Sequence, residues 1–446
     1  MGVHDLTSRL PKQLPQWLQR PHYHPGPSNL SSPHDPSQSY LLGLRGCLTL
    51  MAFLWVFLQT FAPAAVAHSA NTTGPAYQIA LRKSLSILFW NDSLIYSSMI
   101  FLSARTICLP FLLDSSKTTL ASAIVRRGIR LWFPVAATLV VVYVVFSRTL
   151  GTAYLKTFAD KTSNASMVTR LYEMPSSLAN FNSIFHVFWI SHDFSYQAAS
   201  FAFPTQTLWI ISALFQQSYT VYTTMVIIPY TRQSWRLAGA AVFILTAWWV
   251  YSWAWFSISG LLLADLVVNM DLRGWCRKHR LETLGVAGVC LVAGYAMQWL
   301  WVAAYPSLYD AEIFYHTGTY NTGGRYTWND TTAPLLRADD YLVIIGFSIL
   351  LESFETLRKI FGNPALVFLG KRSYSYFCLQ SIIIYTLGIE TVMNLIGDSL
   401  DGYSRATGIA FISCLLVTAA ASEAFYWFID LPSQKFARVV FAWIRE

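Results

Sequence analysis

The sequence predicts an all-α integral membrane protein: one bundle of about ten transmembrane helices with both termini in the cytosol. Three observations carry that expectation. First, 54% of the 446 residues are hydrophobic and only 12% charged, with a mean hydropathy of +0.41; a soluble chain carries ~25% charged residues. Second, apolar runs recur at roughly the 17–25 residues that a bilayer-spanning helix needs. Third, the excess of positive charge, +8 overall, gathers in alternate connectors. It therefore reports membrane orientation and gives no reason to expect a nucleic-acid partner.

The elements follow in order. Residues 1–39 are rich in Pro, His and Ser, hold no apolar core of a signal peptide, and read as a disordered cytosolic tail. A transmembrane domain occupies 40–432. Its apolar runs lie near 46–66, 93–113, 131–149, 206–230, 238–253, 255–270, 284–303, 341–357, 374–393 and 406–429. The fifth and sixth share a stretch that is long for one span and short for two, and the charge pattern requires it to be a hairpin. Residues 433–446 read as a basic cytosolic tail. With the N-terminus inside, twenty Lys and Arg fall on cytosolic segments and eight on the other side. The acceptor sequons at Asn71, Asn164 and Asn329 fall in the three long non-cytosolic loops, 67–92, 150–205 and 304–340. Asn29, in the tail, lies on the wrong side. The agreement of sequons with charge predicts a glycoprotein of a secretory-pathway membrane, endoplasmic reticulum or plasma membrane. No internal repeat of the kind that builds transporters is visible. The six cysteines form no CxxC pair and no Cys/His ligand spacing, so buried thiols are expected, and no metal.

Ionisable residues inside spans cost roughly 2.5–3.5 kcal/mol each at the helix centre and so mark candidate function. They are Arg45, Arg105, Asp265, Glu352, Glu390 and Glu423. Arg45 and Arg105 fall in cytosolic halves, with Arg126, Arg127 and Arg130 just outside. Guanidinium forks match phosphate, so this mouth suits a polyanionic donor such as acyl-CoA. The bland alternative is orientation and a hold on anionic membrane lipids. The carboxylates read either as proton carriers, Glu352 and Glu390 foremost, or as partners that neutralise Arg105. The apolar run 183–191 is short enough to dip into the membrane from the lumen. His192 beside Asp193 follows it, a candidate general base or a solvated pair. No P-loop, nucleophile elbow or dinucleotide fingerprint occurs.

Four motifs in order resemble the membrane-bound acyltransferase-3 family, in its fungal-type branch. They are Leu42-Gly43-Leu44-Arg45-Gly46; Phe101-Leu102-Ser103-Ala104-Arg105 with Arg126-Arg127-Gly128-Ile129-Arg130-Leu131-Trp132-Phe133-Pro134; Leu208-Trp209 with Phe215-Gln216-Gln217-Ser218; and Leu369-Gly370-Lys371-Arg372-Ser373-Tyr374-Ser375 with Asp430-Leu431-Pro432-Ser433. The likeness runs from about residue 40 to 440. It implies an enzyme that moves an acyl group, often acetyl, from cytosolic acyl-CoA to a hydroxyl of a sugar, lipid, glycan or other small molecule, with no resident cofactor. The chain departs from the family where Val56, Leu214 and Gln380 stand in place of a His, a Glu and a His. A non-catalytic acyl-CoA- or lipid-binding relative, or a transporter, is the alternative.

Overall fold

The computed structural model describes residues 38–69, 71–164, 172–189, 197–306, 336–397 and 402–446. The described residues are 86% helical, without strands. Helix α1 (Ser39–Phe61) ends where Pro63 follows, since proline cannot donate the next helical hydrogen bond. Helix α2 (Asp92–Ile107) returns antiparallel to it. Helix α3 (Lys117–Val142) starts on Ser116, whose side chain accepts from the Thr118 amide. Then come α4 (Ser177–Trp189), α5 (Trp209–Ile227), α6 (Gln233–Trp249), α7 (Ala254–Asn269), α8 (Leu272–Lys278) and α9 (Arg280–Trp299). Helices α10 (Ala338–Ser353), α11 (Pro364–Ile383), α12 (Tyr403–Phe425) and α13 (Leu431–Arg445) complete the bundle. Asn363 caps α11 by accepting from the Ala365 amide at 2.9 Å, with Pro364 preset at the first turn.

Six continuous helical stretches are long and apolar enough to cross a membrane: Ser39–Phe61, Ser86–Asp114, Lys117–Thr149, Arg280–Ala304, Pro364–Ile396 and Tyr403–Arg445. Helix α7 with α8, bent by 78°, makes a seventh if the pair is one span. The membrane character of the bundle stands on these, fewer than the ten runs expected. Helices α6 and α10 have 17 and 16 residues, short of a straight crossing at 1.5 Å per residue. The stretch 238–270 is the expected hairpin: the chain turns between α6 and α7, with Tyr251 at φ 56°. Residues 433–446 are not a tail. They form α13, which packs along α3 with Phe436 5.5 Å from Phe133 and Ala437 buried. Pro432 follows the π-helical turn Tyr426–Asp430 that joins α12 to α13 in one continuous stretch, the local widening by which a long helix accommodates an interior proline.

The centre of the bundle is the pair α1 and α11, which run in the same direction in close contact. Between helices in lipid, close approach of small residues does the work that burial does in water. A Cβ at Gly46 would meet the Leu366 carbonyl at 2.2 Å, and one at Gly370 the Leu42 carbonyl at 1.8 Å. The glycines of the first and fourth motifs are therefore the two sides of one helix crossing. Across the bundle's middle an aromatic plug links Trp55, Tyr96, Trp209 and Trp253, with successive ring centroids 5.5, 5.0 and 5.7 Å apart. Helix α4 lays one face against α3 and α5: Phe185 lies 5.7 Å from Trp132 and Phe188 5.1 Å from Phe215, while Phe181 and Trp189 stay exposed. The run 183–191 thus begins as an amphipathic helix lying on the bundle.

Candidate functional site

Two polar centres occupy opposite ends of the α1–α2 pair, and a hydrogen bond pins the helices at each. At one end Arg45 Nη2 donates to Thr106 Oγ1 at 3.0 Å. At the other, His68 Nδ1 and Asp92 Oδ1 are 2.6 Å apart.

The Arg45 end divides into two groups of different character. In the first, Glu352 of α10 is sealed among donors. Tyr40 Oη donates to its Oε1 at 2.5 Å, Arg105 Nη2 approaches the same oxygen at 3.3 Å, and Arg273 Nε donates to Oε2 at 2.9 Å. Arg358 also donates to the Glu352 backbone carbonyl. A carboxylate held by two guanidiniums and a phenol has its lone pairs occupied, which removes Glu352 from the candidate bases. The same contacts remove Arg105 from the candidate donor-binding residues: it is a buried counter-charge. The expectation that a carboxylate neutralises Arg105 holds, and Glu352 is that carboxylate. Asp265 and Glu423 are likewise partnered, Asp265 by Arg236 at 2.9 and 3.1 Å and Glu423 by Arg372.

The second group is Arg45, Arg126, Arg127 and Arg130. Among the described residues none of the four makes an ion pair. Arg127 donates to Ser218 Oγ at 2.9 Å, to Ser103 Oγ at 2.8 Å and to the Leu214 carbonyl at 3.5 Å. Arg126 donates to Ser122 Oγ at 3.2 Å and faces Arg438 of α13. Arg127 and Arg130 are near enough to Arg45 for their charges to repel it. The nearby carboxylate of Asp430 is buried and accepts from Gln434 Nε2 at 3.0 Å. Like charges gathered on neutral partners repel one another, and an anion among them relieves that repulsion. Beside Arg127 a narrow cleft between α2 and α5 is lined by Ser103, Ala104, Leu214, Gln217 and Ser218. Leu214, at the position where the resembled family carries Glu, faces this cleft.

The His68 end was not legible as a site. Asp340 of α10 is fully buried beside Ser93 and Asp92. Its Oδ1 accepts from Gln298 Nε2 at 2.8 Å, the Ser93 hydroxyl is within hydrogen-bonding reach of the same carboxyl, and Gln298 Oε1 has no partner among the described residues. Arg337 pairs with Asp339 at 3.0 Å and stacks over Trp301 at 4.6 Å. Only the position of His68 just past the first span and of Asp92 at the start of the second hinted at their meeting.

His192, Asp193 and Asn329 lie outside the described residues. Glu390 is exposed on the bundle's surface, away from the buried interior where the sequence reading placed it as a candidate base. Asn71 is half-buried. Asn164 is fully buried, its Nδ2 donating to the Gln59 and Thr60 carbonyls at 3.1 and 3.0 Å. The amide that a glycan needs is enclosed, so Asn164 is a helix-end clamp in the folded chain. The six cysteines are free thiols, and no group of three or more His, Cys, Asp or Glu among the described residues is placed to hold a metal. No family model matches the chain, no curated protein matches it, and no solved structure matches it.

Proposed function

We propose that the protein is an integral membrane O-acyltransferase that takes acyl groups, acetyl among them, from cytosolic acyl-CoA to a hydroxyl of a sugar, lipid or glycan. The single observation that carries this is the group of guanidiniums at Arg45, Arg126, Arg127 and Arg130, none of which makes an ion pair among the described residues. A membrane protein that needed only orientation has no reason to hold Arg127 and Arg45 between helices on hydroxyl partners. A nucleotide's phosphates supply the missing anion, and the closed seam between Ser103 and Ser218 beside Arg127 has to open to admit a thioester arm. In this reading the Arg45 end faces the cytosol, the His68 end faces the lumen of a secretory-pathway membrane, and helices shorter than a full crossing complete the expected ten spans where the bilayer thins around them and their end residues snorkel. Acyl-CoA is a co-substrate, and membrane lipids surround the bundle.

A second reading is favoured by a specific observation. Val56 is 1% exposed and occupies the place of the resembled family's histidine, and Glu352 is locked. The chain then binds acyl-CoA or lipid without turning it over. One experiment separates the two: purified protein in nanodiscs is titrated with acetyl-CoA and longer acyl-CoAs, and thiol release is followed. Binding with release supports the enzyme, and binding without release supports the carrier. Absence of binding removes both readings.

A further inference from the structure

We propose that Arg438 of α13, together with Arg126 of α3, holds a phosphate monoester of the donor nucleotide, the 3′-phosphate of acyl-CoA, and so selects that donor over thioesters that lack it. The inference rests on the acyltransferase reading above. It adds a binding residue on a helix that the sequence presents as a tail.

Three observations carry it. The first is position. Ser433 and Ala437 form the buried stripe of α13. Phe436 and Arg438 flank Ala437, each turned about 100° around the helix from it. Phe436 meets Phe133 at 5.5 Å on one side, and Arg438 faces Arg126 on the other. The π-turn Tyr426–Asp430 widens one turn of the continuous stretch and so sets the register in which α13 meets α3.

The second observation is the want of a counter-charge. Arg438 is exposed and makes no hydrogen bond or ion pair among the described residues. Arg126 is half-buried, and its one partner is neutral, Ser122 Oγ at 3.2 Å. The groups that act on Arg126 are Arg438, Arg130 and the Tyr222 hydroxyl of α5, with no carboxylate among them. Asp430 lies nearer Arg130, where it is buried and accepts from Gln434 Nε2 at 3.0 Å. Two guanidiniums facing each other without an anion repel. A phosphate monoester, with a charge of about −1.5 to −2 and three acceptor oxygens, is the anion matched to two such forks.

The third observation is the division of the arginines into an inner and an outer pair. Arg45 and Arg127 reach helix hydroxyls, at Thr106 and at Ser103 and Ser218. Arg126 follows on the next face of α3 and joins Arg438 outside them. A CoA molecule has the same order. Its diphosphate is joined to the thioester arm, and its 3′-phosphate sits on the ribose at the far end. The inner pair takes the diphosphate and the outer pair the monoester. A lipid headgroup phosphate has the same chemistry as that monoester, and the test separates the two sources.

The test measures the affinity of the full chain in phosphatidylcholine nanodiscs for acetyl-CoA and for 3′-dephospho-acetyl-CoA, by isothermal titration at low and at raised salt. Wild type should bind acetyl-CoA about tenfold or more tightly than the dephospho form. That preference should shrink with salt, because the outer pair is exposed. Arg438→Ala should bind both forms with the wild type's affinity for the dephospho form, at an unchanged melting temperature, and Arg438→Lys should keep part of the preference. Arg127→Ala should weaken both forms alike and leave their ratio standing. Phosphatidylserine added to the nanodiscs should leave the wild-type preference in place. Three results overturn the proposal while acetyl-CoA still binds and the acyltransferase reading stands: equal wild-type affinity for the two forms, full preference retained in Arg438→Ala, or a preference abolished by phosphatidylserine, which assigns the pair to lipid. Wild type that binds neither form removes that reading and this inference together.

Discussion

The Arg105 guanidinium lies 3.3 Å from Glu352 Oε1, and each side chain is 1% exposed. Arg273 holds the other oxygen of the same carboxylate from α8. The arrangement ties α1 through Tyr40, α2, α8 and α10 to one buried charge. It is not symmetric on removal of a member. Glu352→Leu leaves the buried Arg105 guanidinium without its counter-charge beside the partly exposed Arg273, whereas Arg105→Met leaves Glu352 still held by Arg273 and Tyr40. Breaking a buried pair by removing one partner costs roughly 3–5 kcal/mol. The expected order of thermal stability in detergent is therefore wild type, then Arg105→Met, then Glu352→Leu. Glu352→Leu as stable as wild type would show that the carboxylate does not hold these helices together.

The acyl-CoA reading predicts a different outcome at Arg127. Its donors rest on Ser103, Ser218 and a carbonyl, none of them charged, so Arg127→Ala strands no counter-ion. Loss of one charge-assisted phosphate contact costs roughly 1.5–3 kcal/mol, about tenfold or more in affinity. Isothermal titration with acyl-CoA should show that loss with an unchanged melting temperature. Arg105→Met should show the reverse, an unchanged affinity with a lower melting temperature. An equal loss of affinity in both would place Arg105 back at the donor.

The contrast between these two arginines shows what the sequence carries and what it does not. Arg105 was visible as a charge out of place inside an apolar run, and Arg127 as one of a basic cluster just outside another. Their roles were not, because Arg105 and Glu352 are 247 positions apart and meet only when α2 and α10 pack. The same holds for His68 and Asp92, which face each other because two antiparallel helices end level. The apolar runs that became α1, α2, α3, α9 and α11 were legible because length and composition decide them. The hairpin at Tyr251 was legible from the charges flanking it. Helix α13 was missed because residues 433–446 are basic and read as a tail, while in the fold the helix continues through a π-turn at Tyr426–Asp430 and packs its Ala437 face on α3. The exposure of Glu390 was illegible because a carboxylate at a span's edge looks the same in sequence whether it faces the bundle or its surroundings.

The crossing of α1 and α11 predicts a sharp dependence on one hydrogen atom. At Gly370 an added Cβ would sit 1.8 Å from the Leu42 carbonyl oxygen, and backbone on both sides cannot yield locally. At Gly239 nothing lies within 4 Å of the same added atom. Gly370→Ala should abolish recovery of monodisperse protein, and Gly239→Ala should raise stability by about 0.5–1 kcal/mol through helix propensity. Size-exclusion profiles and melting curves of the two variants decide the matter. Normal recovery of Gly370→Ala would mean that α1 and α11 do not approach as described.

The sequon at Asn164 makes the last prediction, because its chemistry and its structure disagree. As sequence it is an acceptor in a long loop and resembles Asn71. In the fold its amide nitrogen donates to the carbonyls of Gln59 and Thr60 at the last turn of α1, carbonyls that have no intrahelical partner of their own. The side chain has no solvent exposure, and a glycan on that nitrogen would have to displace both hydrogen bonds and the end of α1. The expected result is that Asn164→Gln leaves the endoglycosidase-sensitive mobility shift of the protein unchanged. The substitution should instead lower stability by roughly 1–3 kcal/mol, since the longer side chain cannot keep both bonds and leaves a carbonyl without its donor. Asn71, half-buried at the chain's surface, donates its Nδ2 to one carbonyl, that of Ser163, at an exposed contact that a glycan can displace, and Asn71→Gln should alter the mobility shift with little effect on melting. A mobility change in Asn164→Gln with stability intact would require the segment after α1 to be packed differently from the arrangement described.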